Sequence, residues 1–266
     1  MSIESYAVLG IVQGILEWLP VSSEGINSLI LVNFFGSTLA EAITLSVFLH
    51  IGTLLAAIFY FRKELVLILK NLPEYFLKPK EFLGTEENRL ITFLIVATFF
   101  TGIVGFPLIL FSLEQFEFSG KTATAVIGLL LIITGVIQKK AEKKETLEKS
   151  IGLKDSIIVG VAQGFSALPG LSRSGITTSV LLFRKYNAKD ALRLSFLMSI
   201  PAVFAAELGL GLMGGVSFTA DVLVAIFFAF VFGVATIDAL MKLAEKIKFS
   251  KFCIILGALS LMVLFI

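Results

Sequence analysis

Two stretches of this chain, residues 6–35 and 156–183, are apolar enough for the interior of a membrane yet cannot cross one as continuous helices. Each is cut in the middle by proline, glycine and hydroxyls: Leu19-Pro20-Val21-Ser22-Ser23 in the first, Leu168-Pro169-Gly170 and Ser172-Arg173-Ser174 in the second. Each half falls short of the roughly 17–25 helical residues that a bilayer core of about 30 Å requires. Broken backbone at membrane depth survives only where protein or a water-filled cavity satisfies its freed N–H and C=O groups. The pattern predicts two re-entrant helix–loop–helix hairpins whose tips are buried in protein.

The rest of the chain can supply that protein. Of its 266 residues, 57% are hydrophobic and 16% charged, whereas a soluble domain carries about 25% charged residues. Residues 42–61, 90–111, 122–137, 194–213, 222–241 and 249–266 read as full spans, the third of them short. The expected fold is an all-α integral membrane protein with six full spans plus two re-entrant hairpins. One cysteine and one histidine exclude a disulfide framework, a thiolate zinc site and a multi-histidine metal centre. A net charge of +2 argues against nucleic acid as a partner and leaves membrane lipid. The N-terminus lacks the basic stretch of a cleavable signal.

Charge predicts the orientation. If each hairpin returns to the side it entered from, the loops 62–89, 139–154, 184–193 and 242–251 share one side and hold 20 of the 22 Lys and Arg residues. Lys121 alone lies opposite, and Arg173 sits inside the second hairpin. The positive-inside rule places the basic loops in the cytoplasm of a plasma-membrane protein, with both termini and the mouth of the first hairpin outside.

The hairpins also repeat. Gly10-Ile-Val-Gln-Gly14 matches Gly160-Val-Ala-Gln-Gly164, Leu19-Pro20 matches Leu168-Pro169, and Leu45-Ser46 matches Leu194-Ser195. Repeat A (1–138) and repeat B (155–266) each hold one hairpin and three crossings, and an odd number of crossings inverts the second copy. Inverted repeats with broken helices place their site where the breaks meet, near the bilayer midplane. Because transporters use that architecture, a translocase for a lipid-linked phosphate or small anion stands as one expectation.

The tips point to phosphate chemistry. Gln13 and Glu17 share a helical face, and Ser22 and Ser23 can cap a half-helix opening near Gly25. Ser172-Arg173-Ser174-Gly175 opens another. Two half-helix N-termini present free N–H groups and positive dipole ends to an anion, and Arg173 adds a planar, bidentate guanidinium. A mid-membrane Arg costs about 2.5–3.5 kcal/mol on insertion scales, so charges and hydroxyls clustered in two broken tips exceed what structure needs. Gly10, Gly14, Gly160 and Gly164 read as close helix-packing faces. His50 reads as a hydrogen-bonded packing residue rather than a proton carrier, Glu207 and Asp238 as interfacial, and 139–154 as a solvated loop.

Gln13-Gly-Ile-Leu-Glu17-Trp-Leu-Pro-Val-Ser22-Ser23-Glu-Gly25 resembles the E/Q-x-x-x-E and P-V-S-S-x-G signature of the undecaprenyl-diphosphate phosphatases of the BacA type. Pro169-Gly-Leu-Ser172-Arg173-Ser174-Gly-Ile-Thr177 resembles that family's P-G-x-S-R-S-x-x-T signature. The resemblance covers nearly the whole chain. It implies removal of the terminal phosphate of a polyprenyl diphosphate at the outer face, and a homodimer with interlocking hairpins. It places the acidic pair on Gln13 and Glu17, the serines on Ser22 and Ser23, the arginine on Arg173, and further hydroxyls on Ser172, Ser174 and Thr177. The chain departs from the family where a histidine usually follows the glycine, for here that position is Ile26. Glu24 replaces a threonine and is expected to supply the lost acid–base function. Together these readings make Glu17, Ser22, Ser23 and Arg173 catalytic. Gly25, Ser172, Arg173, Ser174, Gly175 and Thr177 bind phosphate, and Gln13 and Glu24 support them. Ser23, or Ser22, attacks phosphorus or orients a water that does, with Glu17 as base. Glu17 and Glu24 are alternatively ligands of a Mg²⁺ or Ca²⁺ ion, hard cations that take oxygen donors.

Overall fold

The computed structural model describes residues 1–77, 85–115, 120–141, 150–212, 219–243 and 250–265. Its described elements are helical: α1 Ile3–Leu16, α2 Ser23–Phe35, α3 Leu39–Tyr60, α4 Arg62–Leu77, α5 Glu86–Gln115 and α6 Gly120–Ala141. They continue as α7 Leu153–Phe165, α8 Arg173–Phe183, α9 Ala188–Leu212, α10 Ala220–Leu243 and α11 Ser250–Leu261, with a closing 3₁₀ turn at Met262–Phe265. Both predicted interruptions are there, between α1 and α2 and between α7 and α8. The chain is an all-α, multi-pass membrane protein.

Five of these helices are long and apolar enough to cross a bilayer: Leu39–Tyr60, Glu86–Phe111, Gly120–Ala141, Ala188–Gly209 and Ala220–Lys242. Of the expected sixth span, 249–266, the described residues form an apolar helix over Ser250–Phe265, and residues 249 and 266 lie outside the described residues. The third span is not short. It runs 22 residues because Lys139 and Lys140 occupy its last turn, where cations favour the negative end of the helix dipole. A hydropathy reading stops before them. The expected loop 62–89 contains α4, whose Val66, Leu67, Leu69, Phe76 and Leu77 are exposed beside Arg62, Lys63 and Lys70, the composition of an interfacial helix. Of the expected loop 139–154, residues 142–149 lie outside the described residues.

Close approach between helices rests on the glycines. α1 lies along α10 and α7 along α5. A Cβ at Gly14 would stand 2.7 Å from the Ala229 carbonyl oxygen on α10, and one at Gly160 would stand 2.5 Å from that of Ala97 on α5. No side chain fits there, so backbones meet as small-residue membrane interfaces do. Trp18, Phe93, Phe196 and Tyr186 are the largest fully buried side chains, while Phe34, Phe99, Phe204 and Phe227 face outward. At the base of the second hairpin, buried Asp155 accepts from Arg184 Nε at 2.5 Å and from the Tyr186 hydroxyl at 2.8 Å. Burial, and then the adjacent carboxylate, push the Tyr186 hydroxyl above its ordinary range.

Candidate active site

Each hairpin tip is built by a helix stop, a turn and a capped restart. α1 stops at Leu16 with Glu17 as its C-cap, since Pro20 disfavours helix at the residue before it. Ser22 then adopts a left-handed conformation (φ +61°, ψ 82°) and caps α2, its Oγ accepting from the Gly25 N–H at 3.2 Å. The turn is pinned by four helices. Trp18 Nε1 donates to the Gly233 carbonyl at 2.9 Å, and its ring meets Phe196 edge-on. The Pro20 carbonyl accepts from Gln138 Nε2 at 2.5 Å and from Cys253 Sγ at 3.3 Å. In the second tip Gly170 takes the positive φ (+102°), and Ser172 caps α8, accepting from the Gly175 N–H at 3.1 Å. Thr134 of α6 accepts from the Ser172 N–H and donates to the Gly170 carbonyl, both at 3.2 Å.

The tips touch. Ser174 Oγ donates to the Leu19 carbonyl at 3.0 Å, and a Cβ at Gly25 would lie 2.9 Å from Gly170 Cα. The Arg173 guanidinium pairs with Glu17 Oε1. Glu17 Oε2 accepts from Ser23 Oγ at 2.7 Å and from Gln13 Nε2 at 2.9 Å, and His50 Nε2 stands 3.2 Å away. Gln13 in turn accepts from Asn27 Nδ2 at 2.9 Å. A buried carboxylate with this many charge-assisted bonds is compensated rather than exposed to the full desolvation cost.

A small cleft of about 30 Å³ is lined by Glu17, Ser22, Ser23, Glu24, His50, Ser166, Leu171, Ser172, Arg173 and Ser174. Nine of these come from the two interrupted segments near the predicted tips; His50 arrives from α3. Four of them, Glu24, His50, Ser166 and Arg173, also line a largely apolar cavity of about 200 Å³ that runs between α3, α5 and α9.

Not every expected residue faces the cleft. Thr177 is fully buried, donating to the Arg173 carbonyl at 2.8 Å and lying 2.6 Å from Ser195 Oγ. It holds the half-helix rather than presenting a hydroxyl. The Gly25 and Gly175 N–H groups are taken up by the caps, and Ser22 Oγ with them. Ile26 lines neither the cleft nor the cavity. Glu17 has both oxygens engaged, Oε1 by Arg173 and Oε2 by Ser23, Gln13 and His50. Glu24 keeps one open: its buried Oε1 finds no hydrogen-bond partner among the described residues. Among the described residues no three His, Cys, Asp or Glu side chains cluster to hold a metal.

Sequence reasoning missed His50, Gln138, Thr134 and Glu207. His50 lines the cleft, its Nε2 3.2 Å from Glu17 and its Nδ1 held by the Ser46 carbonyl one turn back on α3. The repeat match of Leu45-Ser46 with Leu194-Ser195 was the available signal, since Ser195 also turns to a tip. Glu207, near the end of the span Ala188–Gly209, lines the apolar cavity, and both its oxygens lack hydrogen-bond partners among the described residues. Asp238 is exposed and paired with Lys242.

A family model described as "Bacitracin resistance protein BacA" matches residues 6–262, and the chain belongs to that family. It is 52% identical to a protein of Methanococcoides burtonii named undecaprenyl-diphosphatase, over the full length of both. Proteins of the same name from Methanothrix thermoacetophila and Methanopyrus kandleri are 40% and 36% identical, each over 96% of this chain and over 94% and 93% of their own.

Proposed function

We propose that this protein is a polyprenyl-diphosphate phosphatase, cutting a lipid diphosphate to the monophosphate carrier and inorganic phosphate. The observation that carries the reading is the neighbouring pair of cavities. A polar cleft with a serine already bonded to a carboxylate shares Glu24, His50, Ser166 and Arg173 as walls with an apolar cavity sized for the start of an isoprenoid tail. The relatives' shared name agrees with it, and neither observation favours the translocase.

In this mechanism Arg173 and the N-termini of α2 and α8 hold the terminal phosphate and stabilise its equatorial oxygens as charge builds there. Ser23 is the nucleophile, because its hydroxyl already donates to Glu17, whereas Ser22 Oγ serves as a cap. Ser23 Oγ bonds to phosphorus, its proton passes to Glu17, and the bridging P–O bond breaks with its electrons leaving on the lipid monophosphate. Water then attacks the phosphoserine and releases phosphate, restoring the serine hydroxyl. A divalent cation such as Mg²⁺ or Ca²⁺ would bind Glu24 and phosphate oxygens, not Glu17; it would neutralise phosphate charge as a Lewis acid.

The arrangement supports an inverted repeat with two re-entrant hairpins, for the first arm of each hairpin lies along the second long helix of the other half, α1 on α10 and α7 on α5. With the basic loops cytoplasmic, both termini and the cleft face outward. A homodimer follows from the resemblance, and cross-linking in native vesicles is its test.

The deciding experiment is phosphate release by purified protein given a long-chain polyprenyl diphosphate and Mg²⁺, with and without chelator. Release that stops with chelator is expected; no release from the long-chain lipid would overturn the reading. At Gly102, which lines the cavity, an added Cβ meets nothing within 4 Å. Gly102→Leu should therefore slow turnover of the long-chain lipid about tenfold by filling the tail space, while sparing a short-chain diphosphate.

A further inference from the structure

Glu17 is gripped by two cations from different helices, and the proposed chemistry needs one of them elsewhere. Arg173 pairs with Oε1 and His50 faces Oε2. To hold a diphosphate, the guanidinium must turn its donors from Glu17 to the phosphate. Removing one partner from a buried ion pair leaves an uncompensated charge, among the costliest changes inside a protein. An Arg173 held by Glu17 alone would be a poor phosphate ligand.

The geometry points to His50 as the positioning residue that frees Arg173: it is the counter-cation that stays with Glu17 when the guanidinium moves to the diphosphate. This rests on the phosphatase reading of the cleft. Three observations carry it. His50 Nδ1 lies 2.9 Å from the Ser46 carbonyl, one turn back on α3, so that nitrogen carries a hydrogen and the ring is fixed by a long helix, not by the hairpin. Nε2 then faces Glu17 Oε2, the oxygen that also accepts from Ser23. Both ring nitrogens face oxygen acceptors, so an imidazolium donates from each, and the pair with Glu17 stays compensated without Arg173. Finally, the His50 side chain is only 15% exposed, which keeps water from taking over its role cheaply. Arg173, in contrast, has a second, weak anchor at the Ser195 carbonyl, 3.4 Å away, suited to a group that exchanges partners. The charged and titratable groups around the His50 ring are Glu17 at the end of α1, Glu24 on α2, Arg173 on α8 and Glu207 on α9.

The test is a binding cycle that needs no turnover. The probe is a polyprenyl diphosphate whose bridging oxygen is replaced by CH₂, bound to full-length protein in detergent with His50→Leu, Glu17→Gln and the double variant. His50→Leu should weaken binding about tenfold or more. Glu17→Gln removes the charge that retains Arg173, so adding His50→Leu to it should change binding by less than about twofold. His50→Gln serves if His50→Leu does not fold; it keeps a donor but no charge, and it should lose most of the binding. An equal loss from His50→Leu in both backgrounds would overturn the proposal and leave His50 a packing residue. Wild-type protein that binds the probe but releases no phosphate from the natural lipid would count against the phosphatase reading alone.

Discussion

In the first hairpin the left-handed residue is Ser22, at φ +61°, directly at the helix cap; in the second it is Gly170, at φ +102°, two residues ahead of the cap. Glycine takes that conformation readily, whereas an L-residue is disfavoured there by roughly 1–2 kcal/mol. The first tip places the strained residue beside Ser23, the proposed nucleophile, and Ser22, Ser23 and Glu24 line the cleft in succession. The second tip supplies the cation and needs no such residue at its turn. Their bases differ too. The second hairpin is clamped by Asp155, Arg184 and Tyr186, while the first is tied by Asn33 donating to Thr124 Oγ1 at 2.9 Å. The hairpin that carries Glu17 and Ser23 holds the strained residue in its tip, and the one that carries Arg173 holds the charged clamp at its base. Strain of this kind persists only where surrounding structure over-determines it, and the Gln138 and Cys253 contacts to Pro20 do so here.

The largest expected effect breaks the division of labour. Arg173→Lys keeps the charge but loses the planar, two-point grip, and phosphate release should fall about a hundredfold or more. Near wild-type turnover would show that the second tip provides charge only. Next comes Gly170→Ala, whose Cβ would stand 2.8 Å from the Ile127 carbonyl oxygen and 2.9 Å from Leu130 Cβ at an unfavourable φ. It should destabilise the protein by about 2 kcal/mol or more, read as a lower melting temperature in detergent. Ser22→Gly is the matching change in the first tip. It relieves the backbone strain and weakens the cap by only a few tenths of a kcal/mol, so the melting temperature should hardly move. Turnover should still drop several-fold, as Ser23 loses its fixed direction. A thermal loss equal to that of Gly170→Ala would mean that both turns are merely structural. Smallest is Tyr186→Phe, which removes one hydrogen bond to Asp155 while Arg184 remains. About 1 kcal/mol of stability should go, with turnover unchanged because the clamp lies at the hairpin base.

Much of the site was legible because its signals are local. Pro20 and the Pro169-Gly170 pair stop helices, Ser22 and Ser172 restart them, and each such device acts within four residues. The spans were legible in number only roughly. Lys139 and Lys140 extend a helix beyond its apolar stretch, and α4 hides in a segment whose charges read as loop. His50 was misjudged for a different reason: a lone polar residue in an apolar helix carries no local mark of what it faces.

The sequence by itself determined where the two apolar segments break, which caps reopen them, and that a carboxylate, hydroxyls and an arginine sit at the breaks. Those are properties of short-range sterics and hydrogen bonding. Only the tertiary structure decided that His50 of α3 and Gln138 of α6 reach the tips, that Glu24 rather than Glu17 keeps a free oxygen, and that Thr177 turns inward. A helix that is apolar nearly all round has no amphipathic stripe to say which face is inside. The facing of its few polar residues is therefore set by packing against neighbours, here by backbone approaches such as Gly14 on Ala229 that bring distant helices close enough for those side chains to meet.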